Sequence, residues 1–519
     1  EGTNFPSFFE RKASFAPTNL KKKSVSLFFK PIITIKMVKE HIFNRIEHNF
    51  SFEPTSSQLL AMKQMAAFMA SVSDMPLLLL KGFAGTGKTT LMGAFVKMLK
   101  ELGIQCVLLA PTGRAAKILS MGAGQEAFTV HKKIYRHQTG TDGSNRLVLM
   151  PNLHTDTIFI VDEASMLGDY TMNKSGDILQ RNLLEDVFEY VFAGKNCHLM
   201  LVGDSGQLPP VGADFSPALS HDYLQNHFPN VQYWFHKLDQ VVRQKQESGI
   251  LYNATQIRNL GTSDHPKIST KFPDIFPIEG SELQEALEFC YGEFGIEETL
   301  IVCRTNKRTN LYNRQVRGRI LWMEEEINQG DLMMVVKNNY HWLEENSEAG
   351  FLANGELFKL KRIHRYEDLY GFRFAEVSIE LVDYPNHDEV RLLLNLDALD
   401  VEGPNLPRER LKELFFEIEK DYLHEKNKRK RYDLIMASPH FNAVQAKHAY
   451  GVTCHKAQGG QWEAVFVDVG FLPDGPENHD FHRWLYTACT RAKSRLYLVN
   501  MEEAFYEREE TDGIDQIDF

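Results

Sequence analysis

With 519 residues, 43% of them hydrophobic, 24% charged and 11% aromatic, the chain has ordinary globular composition, which excludes disordered, collagen-like and coiled-coil classes. At ~100–200 residues per domain it has room for about three or four folding units, each with its own core. The net charge of −11 does not exclude a nucleic-acid partner, because binding follows local potential and Glu502–Phe519 alone sets eight acids against Arg508.

The first 36 residues carry Arg11, Lys12, Lys21, Lys22, Lys23, Lys30 and Lys36 against Glu1 and Glu10, with Pro6, Pro17 and Pro31. They read as an extension outside the fold, with a basic nucleic-acid arm or a targeting peptide as alternatives. An amphipathic segment opens at Met37 and continues through Ile42 and Ile46. Between about 50 and 235, the apolar runs Leu77–Leu80, Cys106–Ala110, Ile158–Val161 and Leu199–Val202 alternate with helical patterns. Continuous runs of this kind predict parallel strands buried on both faces. A second α/β set follows at Leu300–Val302, Val465–Val467 and Leu496–Val499.

The stretch 330–440 has a different texture. Short β-like pieces and the turn Asn354-Gly355 lead into a helix with Leu411, Leu414, Phe415, Ile418 and Tyr422 on one face, ending in the basic run Lys426–Arg431. The predicted domains are therefore 37–235, a second domain from 236–330 and 440–502, an insertion at 331–439 and an acidic tail at 503–519. No apolar run approaches the ~18–20 residues that span a bilayer. No two of the six cysteines sit at C-x-x-C spacing, so neither zinc nor an iron–sulfur cluster is expected. Without a secretory signal, a reducing cytoplasm is the expected compartment.

Gly82-Phe-Ala-Gly85-Thr86-Gly87-Lys88-Thr89 follows the first strand and precedes a helix. Glycines let backbone N–H groups approach phosphates, and the helix N-terminus adds favourable partial charge. Lys88 is placed to reach the β- and γ-phosphates of ATP and Thr89 to ligate Mg²⁺, with Thr90 beside it. Ile158–Val161 ends in Asp162-Glu163, which puts Asp162 at the sheet edge as a Mg²⁺ holder and Glu163 in position to activate water. After Leu199–Val202, Asp204 and Gln207 are predicted near the γ-phosphate, the Gln207 amide as its sensor.

Taken in order, these motifs resemble the superfamily 1 helicases, in their RecD-like and Dda-like branch, over about residues 50–500. Gln58 in Thr55-Ser-Ser-Gln58 resembles the adenine-reading glutamine, and Gly459 is carried to the nucleotide side. Pro111, Thr112 and Arg114 in Ala110–Lys117, with Thr129 and His131, resemble the strand contacts of the first domain. Thr453, His455 and Lys456 in Gly451–Gly459 resemble those of the second. Arg243 in Val241–Gln244 and Arg491 in Tyr486–Ala492 resemble the family's motif IV and VI arginines. The resemblance implies two RecA-like domains with parallel sheets and ATP between them. An arginine delivered across that cleft would stabilise charge on the γ-phosphoryl and tie closure to nucleotide state.

Two basic groups, one from Arg114, Lys117, His131, Lys132, Lys133 and Arg136, the other from Arg304, Lys307, Arg308, Arg314, Arg317 and Arg319, are candidates to grip a strand's phosphates. Gly140–Asn145 between apolar pieces predicts a hairpin at 136–152, which the resemblance makes a pin at the duplex fork. The resemblance makes the 331–439 insertion an SH3-like and helical module, with Tyr340 and Trp342 either stacking on bases or packing in its core. The expected activity is an ATP-dependent DNA helicase acting on single strands and single-strand/duplex junctions. The 5′→3′ direction is implied by the branch alone. An RNA helicase and a nucleotide-dependent switch without unwinding are the alternatives.

Overall fold

A strand sends successive side chains to opposite faces, so the Leu77–Leu80 run feeds two cores. Leu78 and Leu80 pack with Met62, Phe95 and Leu108, while Leu77 and Leu79 pack with Leu184, Phe188 and Val191. In the computed structural model the described residues are 26–139, 145–168, 182–242, 248–344, 347, 349–473 and 475–507. The first domain comprises α1 (Ser26–Asn49), α2 (Ser56–Met69), β1 (Pro76–Gly82), α3 (Lys88–Glu101), β2 (Gln105–Ala110), α4 (Gly113–Ala123), β3 (Ala127–Thr129), α5 (Val130–Ile134), β4 (Tyr135–Thr139), β5 (Asn145–Leu149), β6 (Thr157–Val161), α6 (Leu183–Ala193), β7 (His198–Gly203), α7 (His221–His227) and β8 (Gln232–Leu238). Its main sheet is parallel throughout, in the order β3-β2-β6-β7-β1-β8. The predicted hairpin is the antiparallel pair β4–β5, and its tip at 140–144 lies outside the described residues.

The second domain begins with α8 (Gly249–Arg258), β9 (Ile275–Ile278), α9 (Leu283–Phe294), β10 (Thr299–Cys303) and α10 (Asn306–Gln315). An insertion follows: β11 (Leu332–Val335), β12 (Leu357–Leu369), β13 (Phe372–Leu381), β14 (Val390–Asn395), α11 (Asp397–Asp400), α12 (Arg408–Asp421), α13 (Lys428–Ala437) and β15 (Val444–His448). The chain then returns through β16 (Gly451–Thr453), α14 (Cys454–Ala457), β17 (Trp462–Asp468), α15 (His479–Cys489) and β18 (Ala492–Val499). The second sheet is parallel in the order β16-β10-β17-β18-β9, and β11–β15 close into a barrel.

The barrel is joined to the second domain through a buried polar knot. Asp331 accepts from Arg317 Nε (2.8 Å), Arg317 Nη2 (3.0 Å), Asn328 N (2.6 Å) and the Tyr450 hydroxyl (2.9 Å). Burial pushes its carboxyl pKa upward, but His448 and Arg317 beside it hold the group down at about 2. Arg317 is therefore no strand contact. Arg308 is likewise committed to the buried Asp468, at 2.6 Å. Tyr340 packs against Phe351 (centroids 4.7 Å apart), and Trp342 donates to Asn442 O at 2.8 Å, so both serve the insertion's own packing.

Four expectations are corrected. The first sheet runs past 235 to Leu238, because edge strand β8 is exposed or half-buried up to its last residue and so carries no long apolar run to mark its end. The basic run does not end the helix containing Leu414. Helix α12 stops at Asp421, and Lys428 starts α13, capped by Asn427. Residues 503–507 do not belong to a tail. Phe505 is buried and its carbonyl accepts from Ile268 N at 2.7 Å, while 508–519 lie outside the described residues. Finally, α1 starts at Ser26, inside the stretch expected to lie beyond the fold, although the apolar residues buried among its described side chains, Ile42 and Ile46, follow Met37.

Candidate nucleotide and strand site

The phosphate loop turns between β1 and α3 through Gly85 (φ 76°) and Gly87 (φ 81°), left-handed conformations that a side chain would strain. Gly87 stands at the α3 N-cap without a side-chain cap, so the first N–H groups of the helix remain open to an anion. Lys88 Nζ arches back to Gly82 O (2.6 Å) and Phe83 O (3.0 Å). Thr86 is fully buried, and its carbonyl accepts from Gln58 Nε2 at 3.0 Å. The other end of the Gln58 amide accepts from Thr55 N at 2.9 Å in a capping box that starts α2. Gln58 thus braces the loop from beneath. Thr89 and Thr90 occupy the first turn of α3.

Strand order brings the acids beside the loop, since β7 lies between β1 and β6. Asp162 follows β6, and its Oδ1 accepts from Glu163 N at 2.9 Å. Burial first, then the neighbouring Glu163 charge, raises the Asp162 pKa. Glu163 adopts φ 49°, a strained setting for a non-glycine residue. Its Oε2 and the Gln207 Oε1 are buried without partners. Oxygen donors short of counter-charge fit a hard divalent cation such as Mg²⁺.

Asp204 was expected at the nucleotide and is corrected. Its Oδ1 accepts from Gly206 N at 2.8 Å and its Oδ2 from the Tyr486 hydroxyl at 2.6 Å, so both oxygens serve protein structure. The same phenol oxygen accepts from Ala84 N of the phosphate loop at 2.8 Å. Further along, Leu208 N donates to Thr487 Oγ1 (2.9 Å) and Gln458 Nε2 to Leu208 O (2.7 Å). Residues 204–208 are thereby held by α15 and by Gln458, just after α14, of the second domain.

Arg491 is also not where a cross-cleft arginine was expected. It is buried and donates to Thr487 O (2.9 Å), Gly460 O (3.0 Å) and Thr490 Oγ1 (3.1 Å), all in its own domain. Arg243 lies outside the described residues. Among the described residues, Arg258 of the second domain reaches the loop, its guanidinium 4.0 Å from the Phe83 ring centre and its Nε without a partner.

On the strand side, Thr112 caps α4 and Thr129 caps α5, each hydroxyl accepting a helix N–H. Thr453 precedes α14 without making a cap hydrogen bond. Burial lowers the pKa of His131, His455 and Lys456, the last to about 8 with help from Lys447. Pro111 ends the β2 edge beside Thr112. Arg114 lies over the Trp462 ring at 4.1 Å and donates to Gln461 O at 3.0 Å. Gly459 belongs to this side and not to the nucleotide. A Cβ there would meet Ala115 Cβ at 2.9 Å and Thr112 Oγ1 at 3.0 Å, so the glycine permits close packing between the domains.

The barrel sets two acids on the same surface. The buried Glu356 carboxylate lies 3.1–3.2 Å from where a Cβ on Gly113 would sit, at the α4 N-terminus. Asp383 lies 3.6 Å from Lys117 Nζ. Burial, then the Asp383 charge, pushes Glu356 up to about 8, and burial likewise raises Asp383. Glu356 Oε1 and Asp383 Oδ2 have no partners. Sequence reasoning missed Tyr486 as a bridge, Arg258, Glu356 and Asp383. Only Tyr486 and Glu356 stood inside or beside a quoted motif.

A family described as an AAA domain matches residues 59–265, and one described as a UvrD-like helicase C-terminal domain matches 448–499. The ATP-dependent RecD2 DNA helicase of Deinococcus radiodurans is 29% identical over 454 residues, covering 85% of this chain and 49% of that protein. The ATP-dependent DNA helicase dda of Enterobacteria phage T4 is 27% identical over 268 residues, covering 49% of this chain and 55% of that protein. The chain spans about half the length of these two relatives. The crystal structure of a Bacteroides Pif1 helicase with ADP-AlF3 and ssDNA aligns over 88% of this chain and 95% of that one, at 14% identity and a TM-score of 0.45.

Proposed function

We propose that the chain is a superfamily 1B helicase of the RecD-like and Dda-like branch, a reading its AAA and UvrD-like matches and its likeness to RecD2 and dda support, and that it is an ATP-driven DNA helicase. It moves along single-stranded DNA, in the 5′→3′ direction of that branch, and opens duplex at junctions. The observation that carries this reading is the seam at residues 204–208. That segment follows a strand beside the phosphate loop and is hydrogen-bonded to α15 and to Gln458 of the second domain. A change at the nucleotide therefore has a direct route to the domain that would hold the strand.

In this reading the open N–H groups of α3 and the Lys88 ammonium bind the phosphates. Thr89 and Asp162 would hold Mg²⁺, which would supply counter-charge at the phosphates. Glu163 orients the attacking water and takes its proton, and Gln207 senses the terminal phosphate. For Arg491 to act as the cross-cleft arginine it must first leave the carbonyls it now serves. Thr112, Thr129, His131, Thr453 and Lys456 contact the strand, and β4–β5 forms the pin at the fork. Sequence-independent, salt-sensitive binding follows from phosphate contacts. No helix among the described residues is long and apolar enough to cross a membrane, and six free cysteines support a reducing cytoplasm.

Strand displacement from 5′-tailed, 3′-tailed and blunt duplexes, with and without ATP, tests the proposal. Opening of the 5′-tailed substrate with ATP, and its loss in Lys88→Ala, is the expected result. Hydrolysis without displacement of any substrate would favour the switch. Preferential opening of the 3′-tailed duplex would reverse the polarity.

A further inference from the structure

We infer that Tyr486 is a positioning residue for ATP hydrolysis, a phenol from the second domain that sets the shape of the phosphate loop. The inference rests on the motor reading above and gives Tyr486 a role in hydrolysis that the reading does not assign.

A buried tyrosine hydroxyl needs partners, and the partners here are informative. The Tyr486 oxygen donates to Asp204 Oδ2 at 2.6 Å and accepts from Ala84 N at 2.8 Å. Tyr486 and Asp204 are each 1% exposed, so water does not compete with either bond. Ala84 lies within the Gly82–Lys88 loop, whose N–H groups are its means of holding phosphate. One of those N–H groups is directed by a residue of the other domain. The direction of the bonds is fixed: the backbone N–H of Ala84 can only donate, so the phenol oxygen accepts it and turns its own hydrogen to Asp204. Asp204 is fixed in turn by Gly206 N at 2.8 Å.

Neighbouring contacts make the bridge part of a docked surface. Thr487, the next residue on α15, accepts from Leu208 N at 2.9 Å, so adjacent side chains hold both ends of 204–208. A Cβ on Gly206 would meet Tyr486 Cε1 at 3.1 Å, which leaves the ring no room to swing toward that segment. Arg258, also from the second domain, covers Phe83 at 4.0 Å, one residue before Ala84. When α15 shifts, the Ala84 end of the loop is pulled or released with it. Loop geometry, and with it turnover, becomes conditional on the position of the second domain.

The test compares full-length wild type, Tyr486→Phe, Asp204→Asn and the double variant. The measurements are kcat and KM for ATP with and without oligo(dT), affinity for a fluorescent ADP analogue, and thermal melting. Tyr486→Phe keeps the ring and removes both bonds. It should lower strand-stimulated kcat roughly ten- to hundredfold, the scale of leaving buried hydrogen-bonding groups unsatisfied, with nucleotide affinity within about threefold. Asp204→Asn, whose amide cannot accept from both Gly206 and Tyr486, should behave alike, and the double variant should add little because the two act as one unit. Stimulation and kcat equal to wild type in Tyr486→Phe would overturn the inference. So would losses confined to KM and melting temperature, the pattern of a purely structural tyrosine. Should Tyr486→Phe not fold, Asp204→Asn decides by the same criteria. Wild type without ATPase, or Lys88→Ala as active as wild type, would remove the motor reading and this inference with it. An active wild type matched by Tyr486→Phe would remove this inference alone.

Discussion

The first domain meets the rest of the molecule along two seams of opposite character. At the nucleotide seam, the phenol, carboxylate, hydroxyl and amides of Tyr486, Asp204, Thr487 and Gln458 meet in short, matched hydrogen bonds. At the strand seam, Glu356 and Asp383 are buried against α4 with an unpartnered oxygen each and raised pKa values. A satisfied polar network rigidifies, whereas a partly satisfied one is costly to keep. The first seam is therefore built to transmit and the second to give way. The α4 N-terminus favours an anion, and a DNA phosphate would satisfy it at least as well as the Glu356 carboxylate.

The comparison is sharpened first by Glu163→Gln, which should cut kcat by about 10²–10⁴, the range for a positioned general base. Nucleotide and strand affinities should stay within a few-fold, since neither seam includes this side chain. Steady-state ATPase and anisotropy with labelled oligonucleotide would read the two effects separately. Gly459→Val comes next. A branched side chain at φ 75° against Ala115 and Thr112 should weaken strand binding about tenfold through overpacking of ~1–3 kcal/mol, again by anisotropy.

The third effect is a pH dependence confined to the strand seam. Glu356 has a raised pKa in the docked form, so docking is fullest below the ordinary carboxylate range and weakens as pH rises through about 8. Between pH 7 and 9 the loss should be about 1.4 kcal/mol, one pKa unit's worth. Hydrogen-exchange protection at 113–117, corrected for the intrinsic base-catalysed rate, should fall over that interval in wild type and stay constant in Glu356→Gln. An unchanged wild-type profile would mean the seam is not strained. Lys307→Ala should do least. Its pairing with Glu402 at 3.7 Å is exposed and belongs to neither seam, so melting should move by no more than ~0.5 kcal/mol equivalent.

The sequence made legible whatever lies in one contiguous stretch. The phosphate loop needs neighbouring glycines and a following helix, and the Asp162-Glu163 pair needs only its strand, so both could be placed beforehand. The central strands announce themselves because burial on both faces demands continuous apolar residues. Edge strands do not. β8 is exposed or half-buried for most of its length, β16 has three residues, and β9 carries Pro277, which an edge strand tolerates. The seams were illegible for another reason, because their partners are brought together only by the fold. Ala84 and Tyr486 are 402 positions apart, and Leu208 and Gln458 are 250 apart. Motif order named Arg491 as the arginine for the phosphates. Which acceptors its guanidinium finds is a property of the packed α15 terminus, and here they are carbonyls of its own domain.

The knot around Asp331 has a mechanical corollary. Only Ala449 and Tyr450 separate β15 from β16, and Tyr450 is itself tied to Asp331. With no slack at that joint, the barrel is an outrigger bolted to the second domain, and a small rotation there becomes a larger sweep at the Glu356 tip. Lifting that tip from α4 and shifting α15 at the phosphate loop are then two ends of one stroke.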